Sequence, residues 1–222
     1  MCRYFVMFKN MVNFSNWAAL STAGLKRECK DNTLSLGILQ LDKQKNITQR
    51  KFIPPLHCFK EPIEIDSNAE VTFYHLRSTK HMKNNTQLSN VHPFVFDDRF
   101  IGMHNGWIHF KKGYDYFILP HYRQQIIGTT DSEVFFALWL SFYQSIQNIG
   151  TAFEQAKAYT TPSSSMNIIL YDKLYNQLYV YRNEKMNKYT PPVYITPEGF
   201  TNFKVPHSKT IPKGQLILAT IS

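Results

Sequence analysis

Hydrophobic and polar positions along the chain change over in short runs, and most of the elements they predict are strands. Residues 3–8, RYFVMF, are rich in aromatic and β-branched side chains and open the series. Thr33 to Leu41 (TLSLGILQL) predicts a second strand, and a turn at Lys43 to Asn46 leads into a third, Ile47 to Ile53. Pro54-Pro55 and Pro62 mark a loop, because proline cannot donate to a sheet ladder. Val71 to Leu76 returns to strand character and ends at Arg77, after which Ser78 to Asn90 is polar and aperiodic. A surface loop of that length is uncommon without a functional reason. Phe94 to Phe96 and Phe100 to His104 form a predicted hairpin about Asp97-Asp98-Arg99. The dipeptide Asn105-Gly106 predicts a tight turn at positive φ, with Trp107 to Phe110 continuing as strand. Later strands are expected at Met166 to Tyr171, Gln177 to Tyr181, Pro192 to Ile195 and Gln215 to Ile221.

Helical periodicity is confined to three places. Ser15 caps a predicted helix to about Cys29, with Trp17, Leu20 and Leu25 in register, until Asp31-Asn32 breaks it. Thr130-x-x-Glu133 is a capping box that opens the strongest helix, whose Phe135, Leu138, Trp139, Phe142, Ile146 and Ile149 share a face. A shorter helix follows from about Thr151 to Tyr159. Strand, helix, many strands, two helices and many strands suit an α+β arrangement of two stacked antiparallel sheets with helices on their outer faces. With no internal repeat, low-complexity segment or linker, residues 1–222 are expected to form a single domain.

Composition narrows the function classes. The 222 residues are 43% hydrophobic and 15% aromatic, enough for a sizeable core and unlike a disordered chain. No run of about 18 apolar residues occurs, so no membrane-spanning helix is expected. Lys9-Asn10 cuts the apolar start short without a small-residue cleavage site, so no leader peptide is expected and the cytoplasm is the anticipated compartment. Cys2, Cys29 and Cys58 are odd in number and lack C-x-x-C spacing, which disfavours a disulfide framework or a zinc cluster. The eight histidines do not supply metal-ligand spacing, and no cofactor is expected. The net charge of +9 admits nucleic acid or an acidic protein surface as partner. The lysines and arginines are dispersed in ones and twos, however, which favours a solvated surface over a nucleic-acid footprint.

Cys2 admits two readings. It is a small residue at the head of a buried strand, since free cysteine is among the most buried types. Alternatively, once Met1 is removed, it carries a thiol and a free α-amine on one residue. The amine, with an ordinary pKa of about 7.7–8.0, can then take and return the thiol proton without a separate histidine.

Four further signals follow Cys2 in order: His75-Leu76-Arg77-Ser78-Thr79, Asn90-Val91-His92-Pro93-Phe94, His104-Asn105-Gly106-Trp107-Ile108, and Asp131-Ser132-Glu133 opening the helix. With these the chain resembles the class II glutamine amidotransferase domain, the glutaminase branch of the N-terminal-nucleophile hydrolases. Members begin Met-Cys and carry H-x-R, N-x-H-P-F and H-N-G-x-I motifs in this order. The resemblance covers residues 2–145 well and the C-terminal strands loosely. It implies a four-layer αββα sandwich, with Cys2 as nucleophile on the glutamine side-chain amide, a thioester intermediate, and release of glutamate and ammonia. It implies Asn105 and the Gly106 N–H as oxyanion donors, Arg77 as the fork for the substrate α-carboxylate, and Asp131 as partner of its α-ammonium. His92, Pro93 and His104 are read as shaping the loops.

The chain departs from the family pattern at Lys80, where members often have threonine, with Thr79 or His81 adjacent as substitutes in the carboxylate pocket. It also reads Leu34-Ser35-Leu36-Gly37 where many members carry D-G-W-G, keeping only the last glycine. The expected activity is a glutaminase that supplies ammonia to a separate synthase partner. Two alternatives are an amidohydrolase of a γ-glutamyl or related metabolite, and a catalytically silent relative acting as a binding subunit that associates with nucleic acid.

Overall fold

Burial along the first strand decides how the molecule is layered. Tyr4, Phe5, Val6 and Met7 are all inaccessible, so both faces of this strand are covered. The computed structural model describes residues 2–8, 34–53, 66, 68–78, 87–183 and 192–221. Its strands are β1 (Arg3–Phe8), β2 (Leu34–Leu41), β3 (Ile47–Phe52), β4 (Val71–Ser78), β5 (Phe94–Phe96) and β6 (Phe100–Trp107), followed by β7 (Ser165–Asp172), β8 (Gln177–Asn183), β9 (Tyr194–Thr196), β10 (Gly199–Thr201), β11 (Lys209–Thr210) and β12 (Leu216–Thr220).

They form two antiparallel sheets, a seven-stranded one in the order β11-β9-β10-β1-β4-β2-β3 and a five-stranded one in the order β12-β8-β7-β6-β5. Because side chains alternate across a strand, Tyr4, Val6, Leu39, Phe73 and Phe200 of the first sheet meet Met103, Ile169 and Val180 of the second in one core. Among the described residues three α-helices, α1 (Pro120–Gln124), α2 (Asp131–Ile146) and α3 (Ile149–Ala158), accompany the five-stranded sheet. Phe135, Trp139 and Phe153 of α2 and α3 share a second core with Ile168, Leu170 and Tyr181 of that sheet's other face. The result is an α+β sandwich of two stacked antiparallel sheets, with helices against the outer face of the five-stranded one. The outer face of the seven-stranded sheet is also buried, at Phe5, Leu36, Ile38 and Tyr74. The helix expected at Ser15 to Cys29 lies outside the described residues, as do the proline loop at 54–62 and residues 79–86.

Thr130 caps the helix as anticipated, its Oγ1 accepting from the Glu133 amide at 3.2 Å, while Oε1 of Glu133 accepts from the amides of Ile127 and Gly128, at 3.2 and 3.3 Å, rather than from that of Thr130 as in a full capping box. Three expectations change. The chain does not turn at Asn105-Gly106, since β6 runs through both, pairing them with Asn167 and Met166. The hairpin expected about Asp97-Asp98-Arg99 does form, with φ values of 55° and 49° at Asp97 and Asp98 supplying its left-handed residues. Nor does α2 reach Ile149: Gln147 adopts φ 56° and closes the helix, so Ile149 starts α3 instead. The strand beyond Trp107 is reduced to a single bridge between Phe110 and Thr160. No helix among the described residues is long and apolar enough to cross a membrane.

Candidate active site

The core between the sheets gives way to polar residues at one end, and the strand registers show which. In the seven-stranded sheet Leu39 pairs with Phe73, Gly37 with His75 and Ser35 with Arg77. On the other side of β4, Val6 pairs with Phe73 and Tyr4 with His75, so the register continued by two residues sets Cys2 beside Arg77. In the facing sheet Met103 pairs with Ile169 and Asn105 with Asn167, which in turn pairs with Arg182. Alternation puts all of these side chains on the inner faces. Ser35, Arg77 and Cys2 therefore form the last row of one sheet, and Asn105, Asn167 and Arg182 that of the other. Cys2 is half-buried and its thiol is free.

Below this row lies a group of buried imidazoles. His75 and His92 stack with ring centroids 4.3 Å apart, and His92 lies 4.4 Å from the Phe94 ring. Nε2 of His75 donates to the carbonyl oxygen of His104 at 3.1 Å, which ties the two sheets together. A carbonyl only accepts, so the His75 proton sits on Nε2. The same argument puts the His104 proton on Nε2, which donates to the Ser165 carbonyl at 3.2 Å, and leaves Nδ1 to accept from the Ser132 hydroxyl at 2.9 Å. Burial drives the His75 pKa down to about 3, and the Arg77 cation adds to the effect against the His104 carbonyl bond. Burial likewise holds His92 well below the ordinary histidine range, reinforced by the neighbouring imidazoles and Arg77. His104 is lowered by burial too, opposed by the Asp131 carboxylate.

Close approach explains the one glycine retained in the Leu34 to Gly37 segment: a Cβ on Gly37 would lie 1.6 Å from the His92 carbonyl oxygen. The His92–Pro93 peptide bond is cis. Gly106 has φ 143°, and a Cβ there would fall 1.8 Å from the Ser165 carbonyl oxygen, so β6 can lie against β7 at this point only with glycine.

Asn105 is 4% exposed, and its Nδ2 has no hydrogen-bond partner among the described residues. A buried donor left unmade is costly in a folded chain. Arg77 donates from Nη1 to the Asn90 carbonyl at 2.9 Å. Asp131, the first residue of α2, accepts from the Ile108 amide at 2.6 Å, which couples the helix start to the end of β6. Thr79, Lys80 and His81 lie outside the described residues. No group of three or more His, Cys, Asp or Glu side chains among the described residues is arranged to hold a metal ion.

One residue at this end carries no motif. Asn202, just past β10, is 0% exposed and donates from Nδ2 to the Cys2 carbonyl at 2.9 Å, while its Oδ1 accepts from the Tyr4 amide at 2.8 Å. Its surroundings, Gly199-Phe200-Thr201-Asn202-Phe203-Lys204, mix apolar and polar residues and carry no signal that singles it out.

No family model matches the chain, and no curated protein does. Solved structures do. A glutamine aminotransferase class-II domain protein from Silicibacter pomeroyi superposes with a TM-score of 0.58 at 16% identity, over 98% of this chain and 94% of that one. The glutamine phosphoribosylpyrophosphate amidotransferase of B. subtilis superposes with a TM-score of 0.56 at 11% identity over 100% of this chain, which spans 49% of the enzyme. An allosteric regulatory enzyme of purine biosynthesis gives 0.57 at 11% identity, with 41% of its length covered. The chain has the fold of the class II glutamine amidotransferase domain.

Proposed function

We propose that the protein is a glutaminase-type enzyme whose nucleophile is Cys2, freed as the N-terminal residue when Met1 is removed. The observation that carries this reading is the pair of facing polar rows, with Cys2 and Arg77 on one sheet and, on the other, the Nδ2 of Asn105, which has no partner among the described residues. The α-amine takes the thiol proton, and the sulfur attacks the side-chain amide carbon of glutamine. The carbonyl oxygen gains the displaced electron pair, and the Asn105 carboxamide with the Gly106 N–H stabilises that charge. Such a donor is worth about 3–4 kcal/mol in an acyl-transfer transition state. Collapse of the intermediate expels ammonia, which leaves with the proton held by the amine, and water then cleaves the thioester to glutamate. Arg77 receives the α-carboxylate and Asp131 the α-ammonium, with Thr79 or His81 completing the carboxylate pocket. The protein acts in the cytoplasm and passes its ammonia to a separate synthase partner.

The test is intact mass before and after treatment with a glutamine-analogue chloroketone, alongside release of glutamate from glutamine. Loss of the Met1 mass and one adduct on Cys2 are expected, and a Met-retaining, unlabelled chain would overturn the reading. A γ-glutamyl amide as substrate is favoured by Trp107, which lies two residues after Asn105 on the same strand face and is 52% exposed at the rim. Comparing turnover of free glutamine with that of γ-glutamyl conjugates separates the two substrates.

A further inference from the structure

We infer that Asn202 is a positioning residue for the nucleophile, an inference that rests on the reading of Cys2 given above. The ladder between β1 and β10 pairs Met7 with Gly199, Val6 with Phe200 and Phe5 with Thr201, and there it ends. Beyond it the main chain makes one more bond, from the Asn202 amide to the Tyr4 carbonyl at 3.1 Å. The Asn202 side chain then takes over. Its Oδ1 accepts from the Tyr4 amide at 2.8 Å, and its Nδ2 donates to the Cys2 carbonyl at 2.9 Å.

A carboxamide is a planar donor and acceptor pair with the chemistry of a peptide unit, so it serves as the next rung of the sheet and carries the ladder to the first residue of the catalytic chain. Asn202 is itself held. The Thr201 hydroxyl accepts from the Phe203 amide at 3.1 Å and donates to the Phe203 carbonyl at 3.2 Å, and the Phe203 ring packs edge-on against Phe5 at 6.2 Å.

The bond to the Cys2 carbonyl fixes the plane of the peptide that follows Cys2. With that plane set, a single backbone rotation remains to place the α-amine and the Cα–Cβ bond together. An N-terminal nucleophile needs both groups placed at once, since the amine must lie within hydrogen-bond reach of the thiol proton. A terminal residue lacks a preceding peptide to hold it, and Asn202 supplies that restraint from the far end of the sequence. Aspartate has the same shape without the donor. Glutamine keeps both groups one methylene further out.

The experiment measures three properties of the wild type, Asn202→Asp, Asn202→Ser and Asn202→Gln: thermal unfolding, kcat and KM for glutamine, and the pH dependence of Cys2 alkylation by iodoacetamide. The serine and aspartate variants should lose at least about tenfold in kcat, as small misplacements of reacting groups do. Their KM should stay within about threefold, and their alkylation profile should move away from that of the wild type. Asn202→Gln should recover part of kcat. Unchanged kcat and an unchanged alkylation profile in folded variants would overturn the inference while leaving the reading of Cys2 intact. If the serine and aspartate variants do not fold, Asn202→Gln carries the same readouts, and wild-type kcat and alkylation in it would likewise overturn the inference. Failure of the glutamine-analogue chloroketone to label the wild type would remove the reading of Cys2 and this inference with it.

Discussion

The carbonyl oxygen of Asn90 accepts from Nη1 of Arg77 at 2.9 Å, while the Asn90 side chain accepts from the Thr129 amide at 2.7 Å and donates to the Thr129 hydroxyl at 3.2 Å. The segment before α2 thus clamps the loop that steadies the arginine, and the fork is held by residues from two separate connections. Asn90 is fully buried. Its motif therefore serves Arg77 through a main-chain oxygen, which no side-chain pattern announces.

Arg77→Lys should raise KM for glutamine by about 10- to 100-fold, the equivalent of about 1.5–3 kcal/mol for a hydrogen bond to a charged group, with a smaller change in kcat. Asn90→Ala should move KM in the same direction because it loosens the loop that steadies the fork. Steady-state glutaminase kinetics check both. A wild-type KM in Arg77→Lys would contradict carboxylate recognition at this position.

Asn105→Ala separates catalysis from stability. Its Nδ2 has no partner among the described residues, so removing it deletes an unmade hydrogen bond and should leave the melting temperature unchanged or slightly higher. The same change should lower kcat by about 10²–10³ with little effect on KM. Calorimetry and kinetics on one preparation test the pair of outcomes, and a large loss of stability with kcat preserved would assign Asn105 to the scaffold.

Acid should destabilise the fold through the buried imidazoles. His75 is lowered to about 3 and His92 well below the ordinary range, so the unfolded chain binds their protons first as pH falls through about 6.5. Stability is then full above that pH and lost progressively on the way down, by about 1.4 kcal/mol per histidine per pH unit. At pH 5 the two together remove about 4 kcal/mol, a large part of the roughly 5–15 kcal/mol that holds a domain together. Urea midpoints at pH 7.5 and 5.0 should differ accordingly, and His92→Phe should flatten the dependence.

Gly37→Ala should cost about 3 kcal/mol or more, because its Cβ would meet a main-chain oxygen at 1.6 Å and neither backbone can yield without moving a central strand. The melting temperature reports it directly. A neutral result would mean that β2 can shift away from the His92 loop.

Alternation and capping made much of the architecture legible in the sequence. The strands at Arg3–Phe8, Val71–Ser78 and Ser165–Asp172 and the helix after Thr130 follow from side-chain periodicity and one capping box. The short strand Gly199–Thr201 was not visible, because three residues are too few to show a period and its place depends on β1, almost the whole chain away. Asn105-Gly106 misled for a physical reason: a glycine with φ 143° is extended backbone that other residues avoid, and it is sterically required by the Ser165 carbonyl of the adjoining strand. Motif order drew together Cys2, Arg77 and Asn105. It could not reveal Asn202, whose role is defined by a hydrogen bond across 200 positions.

That span has a consequence for biosynthesis. The strand that bears Cys2 is central, flanked by β4 on one side and β10 on the other. A ribosome delivers residues 199–202 long after residue 2, so the early strand waits with one edge unpaired through most of translation. The thiol gains its final setting only when the last part of the sheet docks. Until β10 closes on β1, Asn202 cannot reach the Cys2 carbonyl, so the bond that holds residue 2 is among the last that the growing chain can make.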